Sequence, residues 1–312
     1  MTESLKSYYA NGKILLTSEY FVLKGAKAIA LPVKYGQKLE VAKIESLEKQ
    51  ISWKACKPDG LWFSATLGLP GFEVLQTNDK PRSLQLVEIF KNMHLLKSEL
   101  FPEESLSFET SLNFNPEWGL GSSSTLIANL ANWAGVDPYQ LNELSFKGSG
   151  FDIACASADG PIVFRKGTEP VEVNLNYPFQ NQLFFIYSGY KKETKKEVQQ
   201  FLTHKKISER EIEQMNLLCT HLGDVRKLSE FQKLIQQHEQ MVSEAVSLKP
   251  LKESHFTDFE GAIKSLGAWG GDFFLAASEW EKPKVKRYFR EKGYKFIFNW
   301  EELILNRKND SE

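Results

Sequence analysis

The chain has 312 residues, 42% of them hydrophobic and 25% charged, which suits a soluble protein of one large or two ordinary domains with a sizeable core, two being the better reading. Its 39 basic and 40 acidic residues leave a formal net charge of -1, so the overall balance asks for neither nucleic acid nor a membrane surface as partner. Cys56, Cys155 and Cys219 are widely spaced with no CxxC pair, against a disulfide framework or zinc site; with no leader-like N-terminus and no run near about 18 apolar residues, a cytoplasmic protein acting on small molecules is expected.

The first part of the chain reads as strand-rich. Lys13–Leu16 and Lys38–Ile44 are predicted strands, and Ile51–Ala55 and Leu61–Thr66 form a further pair across the turn-prone Pro58-Asp59-Gly60. Between Ser83 and Leu100 the apolar residues recur at helical spacing, with Pro102 as a stop. Leu106, Phe108, Thr110, Leu112 and Phe114 alternate as a half-buried strand does. They lead into Gly119–Thr125, reading GLGSSST, ahead of an apolar helix Leu126–Ala134 that Gly135 closes. Asp137-Pro138 predicts the cap and first turn of a short helix, Tyr139–Phe146, and Pro161–Arg165 and Val171–Leu175 read as strands.

The pattern pauses around Asn176–Gln182, and a boundary there divides the chain into predicted domains 1–179 and 180–312. In the second, Leu183–Tyr187 is a strand, Ser208 with Glu211 is a capping box for a helix toward Thr220, and Phe231–Val246 carries another helical stripe. A helix near Phe256–Ser265, a glycine turn at Gly267–Gly271, strand Phe273–Ala276, helix Pro283–Lys292 and strand Tyr294–Phe298 complete the reading.

Four short segments hold residues able to do chemistry. Lys13, after Gly12 at a strand start, can reach a phosphate as a point charge or simply sit solvated at a strand edge. In the GLGSSST loop, a helix start leaves about four backbone N–H groups without intrahelical partners, and glycines let the backbone close on an anion. The same hydroxyls serve equally as ordinary caps. The loop is not a Walker A motif, since no Gly-Lys-Ser or Gly-Lys-Thr occurs, and it lacks the third glycine of the dinucleotide fingerprint. Asp152 follows a Gly-Ser-Gly turn, where a carboxylate could accept the proton of a substrate hydroxyl during phosphoryl transfer or cap a helix. The fourth segment, Ser265 to Asp272, is a glycine turn before a strand. His94, His204, His221, His238 and His255 form no HExxH or close pair, and no Gly-x-Ser-x-Gly elbow occurs, so metal-hydrolase and simple serine-hydrolase readings lack support.

In this order the four segments resemble those of the GHMP kinase superfamily, which includes galactokinase, homoserine kinase, mevalonate kinase and phosphomevalonate kinase. Lys13–Ala30 is similar to the family's first motif and Gly119–Ser124 to its phosphate-binding second motif. Gly148–Ala154 is similar to its catalytic-aspartate segment and Gly267–Asp272 to its glycine-rich third motif, so the resemblance spans nearly the whole chain. Glu19-Tyr20, Asp152-Ile153-Ala154 and Gly270-Gly271-Asp272 resemble the phosphomevalonate kinase branch. Tyr187–Lys195 looks like the strand-to-helix junction of the mevalonate and phosphomevalonate kinases, with Glu193 where those carry serine.

The resemblance implies an α+β, two-domain GHMP kinase fold, with an N-terminal domain like the second domain of ribosomal protein S5 and a ferredoxin-like C-terminal domain. It implies ATP and Mg2+, with Gly119, Leu120, Gly121, Ser122, Ser123 and Ser124 around the nucleotide phosphates and Ser123 and Glu143 on the metal. Lys13 and Asp152 become the implied catalytic residues, and Glu19, Tyr20, Lys191, Thr194, Gly270 and Gly271 the implied substrate contacts. Lys191, Lys192 and Lys195 would suit an anionic substrate. Two positions depart from the family pattern: Asn115 stands where the family has proline, with Pro116 one later, and Glu143 lies closer to Asp152 than the family spacing.

The implied activity is ATP-dependent transfer of the γ-phosphoryl group to a small anionic metabolite, phosphomevalonate or mevalonate, by a monomer or homodimer with no nucleic-acid or membrane partner. One alternative is an enzyme like mevalonate diphosphate decarboxylase, whose second motif typically has alanine where Gly121 stands. The other is a non-catalytic metabolite sensor of the same fold, against which Lys13 and Asp152 both argue.

Overall fold

The computed structural model describes residues 5–101, 104–189, 207–267 and 271–307. The chain forms two compact units: Met1–Gly12, Tyr35–Pro116 and Leu120–Ser157 in the first, Lys13–Lys34, Glu117–Gly119 and Ala158–Glu312 in the second. The architecture is mixed α+β, and among the described residues no helix is long and apolar enough to cross a membrane.

Two long strands, β1 (Lys6–Leu15) and β2 (Ala28–Ile44), pair with each other and contribute residues to both units. The first unit adds β3 (Gln50–Lys57), β4 (Gly60–Gly68), β5 (Val74–Thr77), α1 (Lys80–Leu96) and β6 (Ser105–Leu112). It ends in three helices, α2 (Ser122–Ala134), α3 (Pro138–Ser145) and α4 (Phe151–Ser157). The strands lie in the order β5-β4-β3-β6-β2; β3 and β6 are parallel and the other neighbours antiparallel. As the alternation predicts, Leu106, Phe108, Thr110 and Leu112 of β6 are buried. Phe108 stacks on Trp53 with ring centroids 5.9 Å apart, and Phe90 of α1 meets Trp53 edge-on at 6.0 Å. Each such fully buried ring contributes roughly 1.5–3 kcal/mol. The predicted start at Asp137-Pro138 closes locally, with Asp137 accepting the N–H groups of Tyr139 and Gln140; α1 starts the same way, unmarked in the sequence pattern, with Asp79 accepting the Arg82 N–H.

In the second unit, Ala28–Ala30 of β2 pair with β7 (Ile162–Phe164), which pairs with β8 (Val171–Glu172). Beyond them come β9 (Leu183–Tyr187), α5 (Glu209–Asp224), α6 (Leu228–Val246) and α7 (Leu251–His255). β10 (Ala262–Leu266), β11 (Phe273–Ala277), α8 (Lys282–Glu291), β12 (Ile297–Asn299) and α9 (Trp300–Leu303) finish the chain. Four of the strands form an antiparallel sheet in the order β10-β11-β9-β12. One face packs Phe184, Ile186 and Phe274 against Phe256, Phe259 and Phe289. The opposite face sets Phe185 against Trp300 at 5.9 Å. The Ser208–Glu211 capping box is formed.

Two predictions are corrected. Lys13 does not start a strand: β1 begins at Lys6 and pairs with β2, so Lys13 lies near its end. The helix placed near Phe256–Ser265 is absent; α7 ends at His255, and Ala262–Leu266 is a strand in register with β11 from Ala262↔Ala277 to Leu266↔Phe273. All five residues of this strand are buried, so it shows none of the alternation that separates a half-exposed strand from a helical turn. The sequence pattern also left β5 and α4 unmarked, and α2 starts at Ser122, so the serines form its first turn.

Candidate functional site

The approach to α2 is shaped by backbone conformations that glycine permits. Pro116–Trp118 makes a single tight turn, so the displaced proline begins this turn. Gly119 follows at φ 69 and Gly121 at φ 92, both left-handed. Gly121 is the N-cap residue of α2, and no side chain caps the helix. The four hydroxyls that follow divide into two kinds. Ser124 Oγ donates to the Gly121 carbonyl at 2.9 Å and Thr125 Oγ1 to Gln37 Oε1 at 2.9 Å, both inside the unit. Ser123 is exposed and Ser122 half-buried on the first turn, while the Leu120 side chain is buried. A helix start built this way turns backbone N–H groups and two hydroxyls outward in the positive field of the dipole.

α4 belongs to the same unit and packs directly on α2. Ala10, Ala128 and Ala156 form a small-residue contact in that unit, which lets its elements approach closely. The Gly-Ser-Gly turn before α4 uses Gly148 at φ 146 and Gly150 at φ 95. Asp152 is half-buried in the first turn of α4, and its Oδ1 accepts the Ile153 N–H at 3.1 Å. Glu143 is exposed on α3. Among the described residues no group of three or more His, Cys, Asp and Glu could by itself hold a metal ion.

In the second unit Lys13, Gly119 and Asp272 come together. Lys13, half-buried at the end of β1, donates from Nζ to the Gly119 carbonyl at 2.8 Å. The Asp272 carboxylate lies where a Cβ on Gly119 would stand. Asp272 itself sits at φ 40, and its carbonyl accepts the Ser188 N–H at 2.7 Å. Trp118 packs beside Phe296 at 5.0 Å and Phe298 at 5.5 Å, and Tyr187 donates its hydroxyl to the Glu117 carbonyl at 3.1 Å. Burial raises the Tyr187 hydroxyl above its usual range, helped by the Asp272 and Glu117 carboxylates. Sequence reasoning did not foresee these aromatic partners or the contact of Asp272 with Gly119.

Glu19 and Tyr20, implied as substrate contacts, are both buried in this unit. Lys264 donates to Glu19 Oε1, His238 Nε2 lies 3.1 Å from Glu19 Oε2, and Tyr20 joins Phe21, Met215 and Val242 in a hydrophobic cluster. Gly271 is buried just before β11, while Lys191, Thr194 and Gly270 lie outside the described residues. Lys264 and His238 escaped the sequence reading; the only signal was a lysine inside an otherwise apolar or small run, Ala262 to Leu266.

Neither a sequence-family model nor a curated protein sequence matches the chain. Solved structures do. That of Methanococcus jannaschii mevalonate kinase superposes with a TM-score of 0.71 at 16% identity, covering 97% of this chain and 99% of that one. Streptococcus pneumoniae phosphomevalonate kinase in complex with phosphomevalonate and AMPPNP gives 0.70 at 16% identity, covering 94% and 99%. Lactococcus lactis galactokinase complexed with galactose gives 0.66 at 12% identity, covering 98% and 94%. The chain has the GHMP kinase fold that these structures share.

Proposed function

We propose that this chain, whose structural neighbours are small-molecule kinases, transfers the γ-phosphoryl group of ATP to a small anionic metabolite, with phosphomevalonate or mevalonate as the acceptors to test first. The observation that carries the reading is the start of α2, where Gly121 replaces a capping side chain and Ser122 and Ser123 stand on the outer turn. Such a terminus favours a polyanion, because its unpartnered N–H groups and dipole both act on negative charge.

Phosphoryl transfer asks a protein chiefly for positioning and charge neutralisation. The α2 start would hold the nucleotide phosphates, and Lys13 would offset charge near the transferred group. Asp152 would orient or deprotonate an acceptor hydroxyl; an acceptor already ionised at neutral pH leaves it only the orienting role. A magnesium ion carried on nucleotide phosphates needs few protein oxygens, and Ser123 and Glu143, both exposed in the first unit, are the proposed donors. When bound, that ion supplies phosphate charge neutralisation.

The test is an ATP-consumption screen over mevalonate, phosphomevalonate, homoserine and several sugars, with each product identified by mass. A phosphorylated mevalonate or phosphomevalonate supports the full reading. A sugar phosphate keeps the kinase and changes the acceptor. No consumption with any acceptor and no nucleotide binding overturns it.

A further inference from the structure

Among the described residues β10 is an edge strand, paired only with β11. An edge leaves alternate backbone groups facing away from the sheet, and when buried these need partners. Here the partners are ionisable side chains. The Ser265 N–H donates to Glu239 Oε1 at 2.9 Å, and the Ser265 carbonyl accepts from Lys264 Nζ at 2.8 Å. The Gly267 N–H donates to the Glu19 carboxylate, which also takes a hydrogen bond from Lys264. Beside Glu239 on α6, His238 Nε2 accepts the Ser18 N–H at 2.7 Å. Two carboxylates from distant segments thus hold alternate N–H groups of the chain as it leaves the sheet, where Gly267 turns at φ 74.

The four side chains are almost sealed from water: Lys264 and His238 are 0% exposed, Glu19 and Glu239 2%. An ammonium with two buried carboxylates is balanced when one of them keeps its proton. Burial pushes Glu239 up to about 8, against the opposing pull of Lys264. Burial also raises Glu19, but Glu19 is in direct contact with the ammonium and is the partner that neutralises it. Burial, with Lys264 adding to it, keeps His238 neutral.

We propose that Glu239, Lys264 and Glu19 are positioning residues that fix the exit of β10, Ser265 to Gly267, in the conformation on which binding of the phosphate-bearing ligand depends. The ligand half of this proposal rests on the kinase reading above; the holding of the strand exit does not. In Glu239→Gln the side chain keeps the volume and acceptor oxygen of the neutral acid, whereas in Glu239→Ala both are lost.

The full chain is compared as wild type, Glu239→Gln and Glu239→Ala by amide hydrogen exchange and by MgATP titration from pH 6 to about 9, a range spanning the Glu239 transition. In Glu239→Ala, exchange at Ser265 rises by about tenfold and MgATP affinity falls by a similar factor, while Glu239→Gln matches wild type at neutral pH. Above pH 8 the wild type binds MgATP more weakly, because a second buried negative charge opposes an anion, and Glu239→Gln shows no such limb. Glu239→Gln carries this pH comparison even where Glu239→Ala does not fold. Unchanged Ser265 exchange in Glu239→Ala overturns the proposal, as do identical pH profiles for wild type and Glu239→Gln. A wild type that binds no MgATP overturns the kinase reading and the ligand half with it, while exchange alone decides whether the network holds the strand exit.

Discussion

The ammonium of Lys13 lies 2.8 Å from the carbonyl of Gly119, a residue 106 positions further along the chain. The end of β1 is thereby tied to the first glycine of the loop that runs into α2. A charge at this place fixes the loop, and in the proposed reaction it would also offset phosphate charge.

Replacing Lys13 by methionine keeps the stem and removes the charge. Turnover is expected to fall by about a hundredfold or more, with the urea midpoint little changed. Lys13→Arg should restore little, because a planar guanidinium does not substitute for a compact ammonium. Near-wild-type turnover in Lys13→Met would remove Lys13 from the chemistry.

Asp152→Asn distinguishes the two classes of acceptor. For a hydroxyl acceptor, loss of the base lowers kcat by about a hundredfold or more. For an acceptor that is already a phosphate anion, the loss should be smaller and shared with KM. Full activity in both Asp152→Asn and Asp152→Ala sinks the assigned role.

Gly119→Ala places a methyl group against the Asp272 carboxylate at a backbone φ of 69. The expected cost is about 1–3 kcal/mol, read from chemical denaturation. Adding Asp272→Ala removes the overlap and leaves only the backbone strain, so the double variant should recover part of the loss. Strict additivity of the two single effects would show that the side chains do not meet.

Glu239 also shapes stability against pH. In the folded chain it keeps its proton to about 8, while its ordinary value is 4.5. The folded chain therefore holds the extra proton between these limits, and the resulting stabilisation is complete below about 4.5 and lost as pH rises toward 8. His238 acts in the opposite sense: its pKa is held well below 6.5, so stability falls as pH drops below that value. Denaturation of wild type and Glu239→Gln in parallel isolates the glutamate. The glutamine variant should gain on wild type from about pH 5 to 8, and a constant difference would contradict the assignment.

A ligand that binds only the native state raises its stability, by about 2.7 kcal/mol at a hundred times Kd. MgATP is therefore expected to raise Tm in a concentration-dependent way. A Tm indifferent to saturating nucleotide would count against the function proposed for the α2 start.

Much of this molecule is written locally. The alternation of Leu106 to Leu112, the aspartate-proline start at Asp137 and the Ser208–Glu211 box each state their element within a few residues, and each is formed. β10 is different because all its residues are buried, so neither period nor polarity distinguishes it. The network around Lys264 draws Glu19, His238 and Glu239 from segments far apart in the chain. No spacing rule joins them, and only the folded second unit does. The serines after Gly121 lie between these cases: their number was plain in the sequence, but which hydroxyls turn inward was decided by Gln37 and the Gly121 carbonyl.

The ionisable side chains along the open side of β10 also limit how copies of this chain could assemble. With the Ser265 N–H and carbonyl engaged, a strand from another molecule finds no ladder to join there. Among the described residues the opposite edge of that sheet is β12, three residues long. A homodimer of this protein would therefore have to be built on helical or loop surfaces, or on the other strands, and not by extending the four-stranded sheet across a two-fold axis.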